Sequence, residues 1–359
     1  MIDLTLLPDG GMGWLDASGP RSAIVLSTRI RLARNVQGYP FSQRARDPQR
    51  RAVLERVRDA VAAGEGLARG VTFRLDELER SDRQLLHERH LVSKELAGLD
   101  RPGFRARAAA ALVLQGALGL MINEEDHLRL QTVRSGFALD EAYRELEGLD
   151  AELGGMLPFA FHAEFGYLTS CPTNAGTGLR ASVLVHLPGL VLTREISKVL
   201  QGLSQVGLTY RGLYGEGSEV IGNFFQLSNQ TTLGKSEAEL LDHLGRMVLQ
   251  VIEYEEQARE VLARDHRPIV EDKVWRAFGS LRYARTLSFE EAMNLLSGVR
   301  LGVGLNLIPG LSVYTLNKLV IHTQPAHLAA LEGGGALGDA DLPGVRAAYV
   351  RRLLEAEAA

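Results

Sequence analysis

The sequence predicts an α+β domain, a largely antiparallel sheet flanked by helices, followed by an all-helical C-terminal domain. Three observations predict it. Ile24 to Leu32 alternates with period two, the strand-like segments follow one another as hairpin-like neighbours with no βαβ rhythm, and after Leu233 only helical spacing remains. The chain has 359 residues, more than the roughly 250 to 300 at which a single core stops growing. Two domains are therefore expected, residues 1–235 and 236–359, with the boundary near Thr232 to Lys235.

In chain order, apolar residues at 24, 26, 30 and 32 alternate with Ser27, Arg29 and Arg31, which sets both arginines on one strand face, ~6.6 Å apart. Helical patterns follow at 48–62 and at 81–97, the second opened by Ser81 with Gln84 as a capping box. Leu112 to Ile122 and His127 to Val133 read as strands around the turn Asn123-Glu124-Glu125-Asp126. A helix is expected at 139–153, a strand at Phe165 to Thr169, a helical run at 179–205, and strands at Leu208 to Leu213 and Val220 to Leu227. Beyond the boundary, residues 236–264 carry Leu240, Leu241, Leu244, Met247, Val248, Val251 and Ile252 at helical spacing behind a Ser236–Glu239 capping box. Later helices are expected to open at Pro268, at Ser288 with Glu291, and at Pro309; Gly333-Gly334-Gly335 is a joint before the last one. No internal repeat is visible.

Composition narrows the class. Hydrophobic residues make up 45% and charged residues 23%, with net charge −4, the usage of an ordinary globular protein. Arginines are interspersed with acids, so no basic face for direct nucleic-acid binding is expected. One cysteine cannot form an internal disulfide, and Met1-Ile2-Asp3-Leu4 lacks a signal peptide's basic start and apolar core. The longest uncharged stretch, Ala108 to Asn123, is shorter than the ~20 apolar residues of a membrane span. A cytoplasmic protein with no membrane partner is expected.

Four segments can carry chemistry. Arg29 and Arg31 have the planar forks that suit polyphosphate oxygens, although the same alternation marks a solvated strand face. If the strand after the turn begins early, Glu125, His127 and Arg129 share a face, putting a carboxylate beside a cation; a hydrated acidic turn is the plainer alternative. Arg211-Gly212-Leu213-Tyr214-Gly215-Glu216-Gly217 reads as a closing loop with one carboxylate, or as a long hairpin turn. Cys171-Pro172-Thr173-Asn174-Ala175-Gly176-Thr177-Gly178-Leu179-Arg180-Ala181-Ser182 joins a thiol with polar neighbours to two glycines before the predicted helix. Phosphate oxygens could meet helix N-terminal amides there, with Arg180 adding charge; a lone cysteine is otherwise an inert small hydrophobe. Two lookalikes drop out. Asn229 replaces the first glycine of a phosphate loop ending at Lys235-Ser236, and His87 and His90 do not have the spacing of a zinc-binding H-E-x-x-H.

Taken together, Ser27-Thr28-Arg29-Ile30-Arg31, the 123–129 turn, the cysteine segment and Arg211 to Glu216 resemble the guanidino (phosphagen) kinases in wording, order and spacing. Only 26 residues precede Ser27 and more than a hundred follow Ser236. That layout is similar to the bacterial protein arginine kinases, as are Gly166-Tyr167-Leu168-Thr169-Ser170, Gly215-Glu216-Gly217-Ser218-Glu219, Gln226-Leu227-Ser228-Asn229-Gln230 and Val299-Arg300-Leu301-Gly302-Val303.

The resemblance implies a phosphagen-kinase-type catalytic domain over residues 1–235 and a kinase using ATP and Mg²⁺, with the metal held mainly through the nucleotide. Nucleotide contacts would fall on Ser27, Thr28, Arg29, Ile30 and Arg31, on His90 and Arg129, on Arg180, Ala181, Ser182, Val183 and Leu184, and on Arg211, Gly212, Leu213, Tyr214, Gly215 and Glu216. Glu125 would be the base and Glu216 its closing partner, with Cys171, Thr173 and Asn174 positioning the guanidinium. The acceptor implied is an arginine side chain of a protein; free arginine or another small guanidine, or phosphoarginine binding without catalysis, are the alternatives. Family analogy adds a Clp-type unfoldase and a stress-response repressor as partners, and gives the helical domain docking, regulation or homodimer formation. Members of this branch carry Arg-Asp-x-x-Arg-Ala near the C-terminus, a phosphoarginine pocket. The corresponding stretch here is Leu342-Pro343-Gly344-Val345-Arg346-Ala347, which argues against feedback through that pocket.

Overall fold

The computed structural model describes residues 12–100, 106–213, 219–333 and 337–357. Its centre is an eight-stranded sheet whose paired strands are all antiparallel. The strands are β1 (Val25–Arg34), β2 (Val71–Arg74), β3 (Ala111–Gln115), β4 (Leu118–Ile122) and β5 (Leu128–Ser135), then β8 (Leu179–His186), β9 (Leu208–Arg211) and β10 (Phe224–Asn229), with β6 (Phe161–His162) and β7 (Gly166–Tyr167) forming a separate ribbon. The order is β2-β3-β4-β5-β1-β8-β10-β9, so β1 lies between β5 and β8.

One face of the sheet is apolar for a simple reason. Ile30 and Leu32 alternate inward on β1, facing Leu130 on β5 and Ala181 and Leu179 on β8, and side chains opposite one another in a ladder share a face. Helices α1 (Asp47–Ala63) and α3 (Leu139–Met156) close this core with Val53, Leu54, Val57, Leu146 and Leu153. The long helix α6 (Glu237–Asp265) adds Leu240, Leu244, Val248 and Ile252 to the same core. Its capping box at Ser236 and Glu239 forms as the sequence predicts. Near its C-terminal end Leu262 passes into a second core, built by α7 (Arg267–Tyr283), α8 (Phe289–Gly304), α9 (Val313–His322), α10 (Pro325–Leu331) and α11 (Leu342–Glu357). Among the described residues no helix is long and apolar enough to cross a membrane.

Several expected elements are corrected. Leu112 to Ile122 is a hairpin, β3 and β4, turning at Gly116 with φ +59°; apolar residues on both arms hide the break. The helix expected at 179–205 is instead β8 followed by α4 (Pro188–Leu192) and α5 (Ile196–Gln205). Leu179, Ala181, Val183 and Val185 alternate with Arg180, Ser182 and His186 in β8, a strand period that the two glycines before it and the helical spacing after it masked. Consequently Gly178 leads into a strand, and no helix N-terminus awaits a phosphate there. Helix α2 spans only Arg80–Glu88, with Glu79 as its N-cap residue and no Ser81 capping box. Strand β5 begins at Leu128, the ribbon strand after Phe165 is confined to Gly166–Tyr167, and β10 starts four residues later than predicted. Helix α9 is capped by Ser312, whose Oγ accepts from Thr315 N, and does not open at Pro309.

Candidate active site

Register assembles the site. Arg31 on β1 lies opposite Arg180 on β8 and Gln131 on β5, Arg29 lies opposite Ser182 and Val133, and Arg129 lies opposite Ala33. Ser27 faces Leu184, Leu184 faces Gln226 and Gln226 faces Arg211. Arg29, Arg31, Arg129, Arg180 and Arg211 therefore share the sheet face turned away from α1 and α3. Their mutual repulsion bears on Arg29, whose pKa burial and then the neighbouring Arg129 and Arg180 bring down to about 10. Arg31 is held well below the usual range by burial and then by Arg29, Arg129 and Arg180. Its buried Nε has no hydrogen-bond partner among the described residues, an arrangement that calls for an anion.

Alternation also says what does not reach this face. Ile30, Ala181 and Val183 point into the helix-side core. Thr28 is buried with them, its Oγ1 donating to Gly136 O at 2.7 Å and accepting from Ala138 N at 3.0 Å.

Each of the three acids of the 123–127 turn has its own surroundings. Glu124 is buried, its Oε1 2.6 Å from Arg129 Nη1 and its Oε2 accepting from Glu125 N at 2.7 Å. Although burial opposes it, Arg129 holds the Glu124 carboxyl below its usual range. Asp126 Oδ1 accepts from Asn35 Nδ2 at 2.7 Å and from Ser170 N at 2.6 Å, and burial raises its pKa. Glu125 lies between them and is half-buried. His127 was expected to share a face with Glu125 and Arg129; it is instead buried in the loop, accepting from Val36 N through Nδ1 at 3.0 Å with Nε2 2.9 Å from Pro40 O. The turn extends one residue further than expected and turns the ring inward.

Asp126 thereby ties the cysteine segment to the acidic turn. The segment's two legs pair at its base, Tyr167 N donating to Gly176 O at 2.7 Å, and Thr232 Oγ1 donates to Thr173 O at 2.9 Å and Ala175 O at 2.6 Å. Gly176 has φ +104°, and a Cβ there would lie 2.4 Å from Thr232 O, so only glycine fits. At the tip, Cys171 is half-exposed with Sγ 3.0 Å from Thr173 Oγ1, and Asn174 N donates to Cys171 O at 3.0 Å. His90, in left-handed backbone at φ +61°, lines a pocket over the far part of the arginine face together with Trp14, Ser27, Arg29, Leu184 and Leu213. Burial and then Arg29, His87, Arg31 and His327 keep its ring neutral. Gly212 adjoins that pocket in sequence, while Tyr214, Gly215 and Glu216 lie outside the described residues.

The sequence reading missed Glu124, Asp126, Asn35, Thr232 and Trp14. The three consecutive acids were the one available signal, since successive turn residues point different ways.

Comparison with known proteins gives the family. Residues 52–258 fit the family model of the ATP:guanido phosphotransferase C-terminal catalytic domain, and residues 267–359 fit that of the protein-arginine kinase McsB C-terminal domain. A protein-arginine kinase of Symbiobacterium thermophilum is 45% identical over 96% of both chains. That of Bacillus subtilis is 40% identical over 98% of this chain and 95% of its own. Among solved structures, lombricine kinase superimposes with TM-score 0.57 at 25% identity, covering 67% of this chain and 70% of its own. The duplicated taurocyamine kinase of Schistosoma mansoni with bound transition-state analogue components gives 0.58 at 26% identity, covering 72% and 38%. A matched catalytic-domain model over more than half the chain and relatives of this identity over nearly all of it place the chain in the protein-arginine kinase family of ATP:guanido phosphotransferases.

Proposed function

We propose that the enzyme transfers the γ-phosphoryl group of ATP to arginine side chains within proteins, with Glu125 as the base and the five arginines as the triphosphate clamp. The observation that carries this reading is the meeting of two halves at one sheet end: a face of mutually repelling guanidinium groups, with Arg31 Nε lacking a partner among the described residues, and an acidic turn tied through Asp126 to the Cys171 loop.

The chemistry follows from the acceptor. A guanidinium stays protonated at any ordinary pH, so a terminal nitrogen attacks only as its proton leaves. Glu125 accepts that proton while the N–P bond forms and the bond from Pγ to the β,γ-bridging oxygen breaks, releasing ADP. Negative charge spread over the transferring oxygens is met by arginine forks already in position. Mg²⁺ carried by the nucleotide would screen the phosphates further. Cys171, with Thr173 and Asn174 beside it, orients the guanidinium nitrogens that do not react. Proteins so marked would be substrates of a Clp-type unfoldase, or would include a stress-response repressor that the mark regulates.

Incubation with Mg-ATP and either an unfolded arginine-rich protein or free arginine, followed by phosphosite mapping under conditions that preserve acid-labile N–P bonds, tests the reading. Phosphoarginine in the protein is expected. Phosphate on free arginine alone would transfer the assignment to a small-molecule kinase.

A further inference from the structure

The helical domain has a part in the nucleotide site that the chemistry above does not use. The pocket beyond Arg29 is walled by Trp14, His90, Leu184 and Leu213. Trp14, Leu184 and Leu213 belong to the same apolar core as Val274, Met293, Leu296 and Leu316 of α7, α8 and α9. The pocket's apolar wall is thus the outer edge of the helical domain's interior, and not of the core under the sheet.

Two buried polar ties fix that wall from the helical side. In the first, Glu88 at the end of α2 accepts from Ala326 N at 3.0 Å and from His327 N at 3.1 Å, and its Oε2 is 2.9 Å from His327 Nδ1. Arg89 Nε donates to His327 Nε2 at 3.1 Å, so the ring carries its proton on Nδ1, and all three side chains are almost wholly buried. The next residue is His90, whose carbonyl accepts from Gln131 Nε2 at 3.2 Å and whose ring stands edge-on to Trp14 at 5.6 Å. In the second, Asn317 Nδ2 donates to Leu15 O at 2.9 Å, next to Trp14, while Arg300 donates to Asn317 Oδ1 and, at 2.7 Å, to Ser22 O. Each ring of the pocket is therefore one residue away from a tie to α8, α9 or α10.

We infer that the helical domain builds the purine-base pocket: His327, acting through Glu88 and Arg89, and Asn317, acting through Leu15, are positioning residues that hold His90 and Trp14 against the base of ATP. Aromatic and aliphatic walls suit the face of a purine, and the pocket adjoins the arginines that hold the triphosphate. Loss of a tie lets one wall relax and weakens base contacts while the strand-borne arginines stay in register. The inference rests on the reading of the arginine face as the triphosphate site.

The test is calorimetric titration of Mg-ATP and, separately, inorganic tripolyphosphate into the full-length protein and its His327→Ala, His327→Gln, Asn317→Ala and His90→Ala variants, with KM values for ATP and the protein acceptor. His327→Ala and His90→Ala are expected to raise the Kd for ATP about tenfold and Asn317→Ala about fivefold, with tripolyphosphate affinity and the acceptor KM changed less than twofold. Glutamine at 327 offers an N–H and an oxygen where the ring has its two nitrogens and should restore ATP binding to within threefold. Unchanged ATP affinity in His327→Ala and Asn317→Ala, with His90→Ala impaired, overturns the role of the helical domain. No effect of His90→Ala overturns the base pocket itself. Parallel loss of ATP and tripolyphosphate binding, or a fall in kcat alone, shows general structural damage and overturns the inference as well.

Discussion

The proposed phosphate half of the site and the proposed acceptor half are built by different means. Arg29, Arg31, Arg129, Arg180 and Arg211 owe their common direction to ladder register on β1, β5, β8 and β9, where backbone hydrogen bonds hold repelling charges together. Glu125 and Cys171 sit in turns whose relative placement depends on single side-chain bonds, from Glu124 to Glu125 N, from Asp126 to Ser170 N, and from Thr232 to two carbonyls of the cysteine segment. On the proposed assignment, a clamp for an invariant triphosphate is served by a rigid ladder. An acceptor presented on many different proteins is served by loops that a few bonds keep in place.

The comparison breaks most sharply at the proposed base. Glu125→Gln leaves the arginine face intact, so kcat should fall about 10³-fold with ATP affinity unchanged, as single-turnover rates and nucleotide titration would read. Glu124→Gln acts where the halves join. It removes the charge that pairs with buried Arg129 and should lower stability by about 3 kcal/mol. Its pH dependence has a definite sign. The folded-state pKa of Glu124 is depressed, so its contribution is complete above the ordinary glutamate value of about 4.3 and is lost as pH falls through the lower folded value. Urea midpoints of the two proteins should differ by a constant amount from neutral pH to about 4.5 and converge only below it. Arg31→Lys keeps a charge and loses the fork; a fall of about 30-fold in kcat/KM for ATP is expected, against little change in the acceptor KM.

How much of this was legible beforehand follows the same division. Arg29 and Arg31 were readable as one face because β1 alternates, and the Ser236 cap because its partner lies three residues away. Neither signal reaches across the chain. Nothing in the local sequence says that Asp126 bonds a backbone amide 44 residues on, or that Trp14 shares a core with helices beyond residue 270. Strand β8 misled for a different reason: Leu179, Ala181, Val183 and Val185 do alternate with Arg180, Ser182 and His186, but the glycines before it passed for a helix start and outweighed that short period. The four motifs in order supplied the missing long-range information, which is why the resemblance reached the family while periodicity reached only the strands.

Asp126 gives the sharpest small test. Its carboxylate receives both Asn35 Nδ2 and Ser170 N on the same oxygen, so Asp126→Ala unties the cysteine segment from the turn, whereas Asp126→Asn retains an oxygen able to accept both. With the alanine variant the acceptor KM should rise about tenfold and the ATP KM stay within twofold, and the asparagine variant should recover most of the difference. Because Cys171 is the only thiol, its alkylation rate by iodoacetamide reports the segment directly and without turnover; it should increase in Asp126→Ala and remain near the original rate in Asp126→Asn. Equal shifts in both KM values, with an unaltered alkylation rate, would mean that the two halves are held together by something other than this bond, and the division between ladder and loop would have to be redrawn.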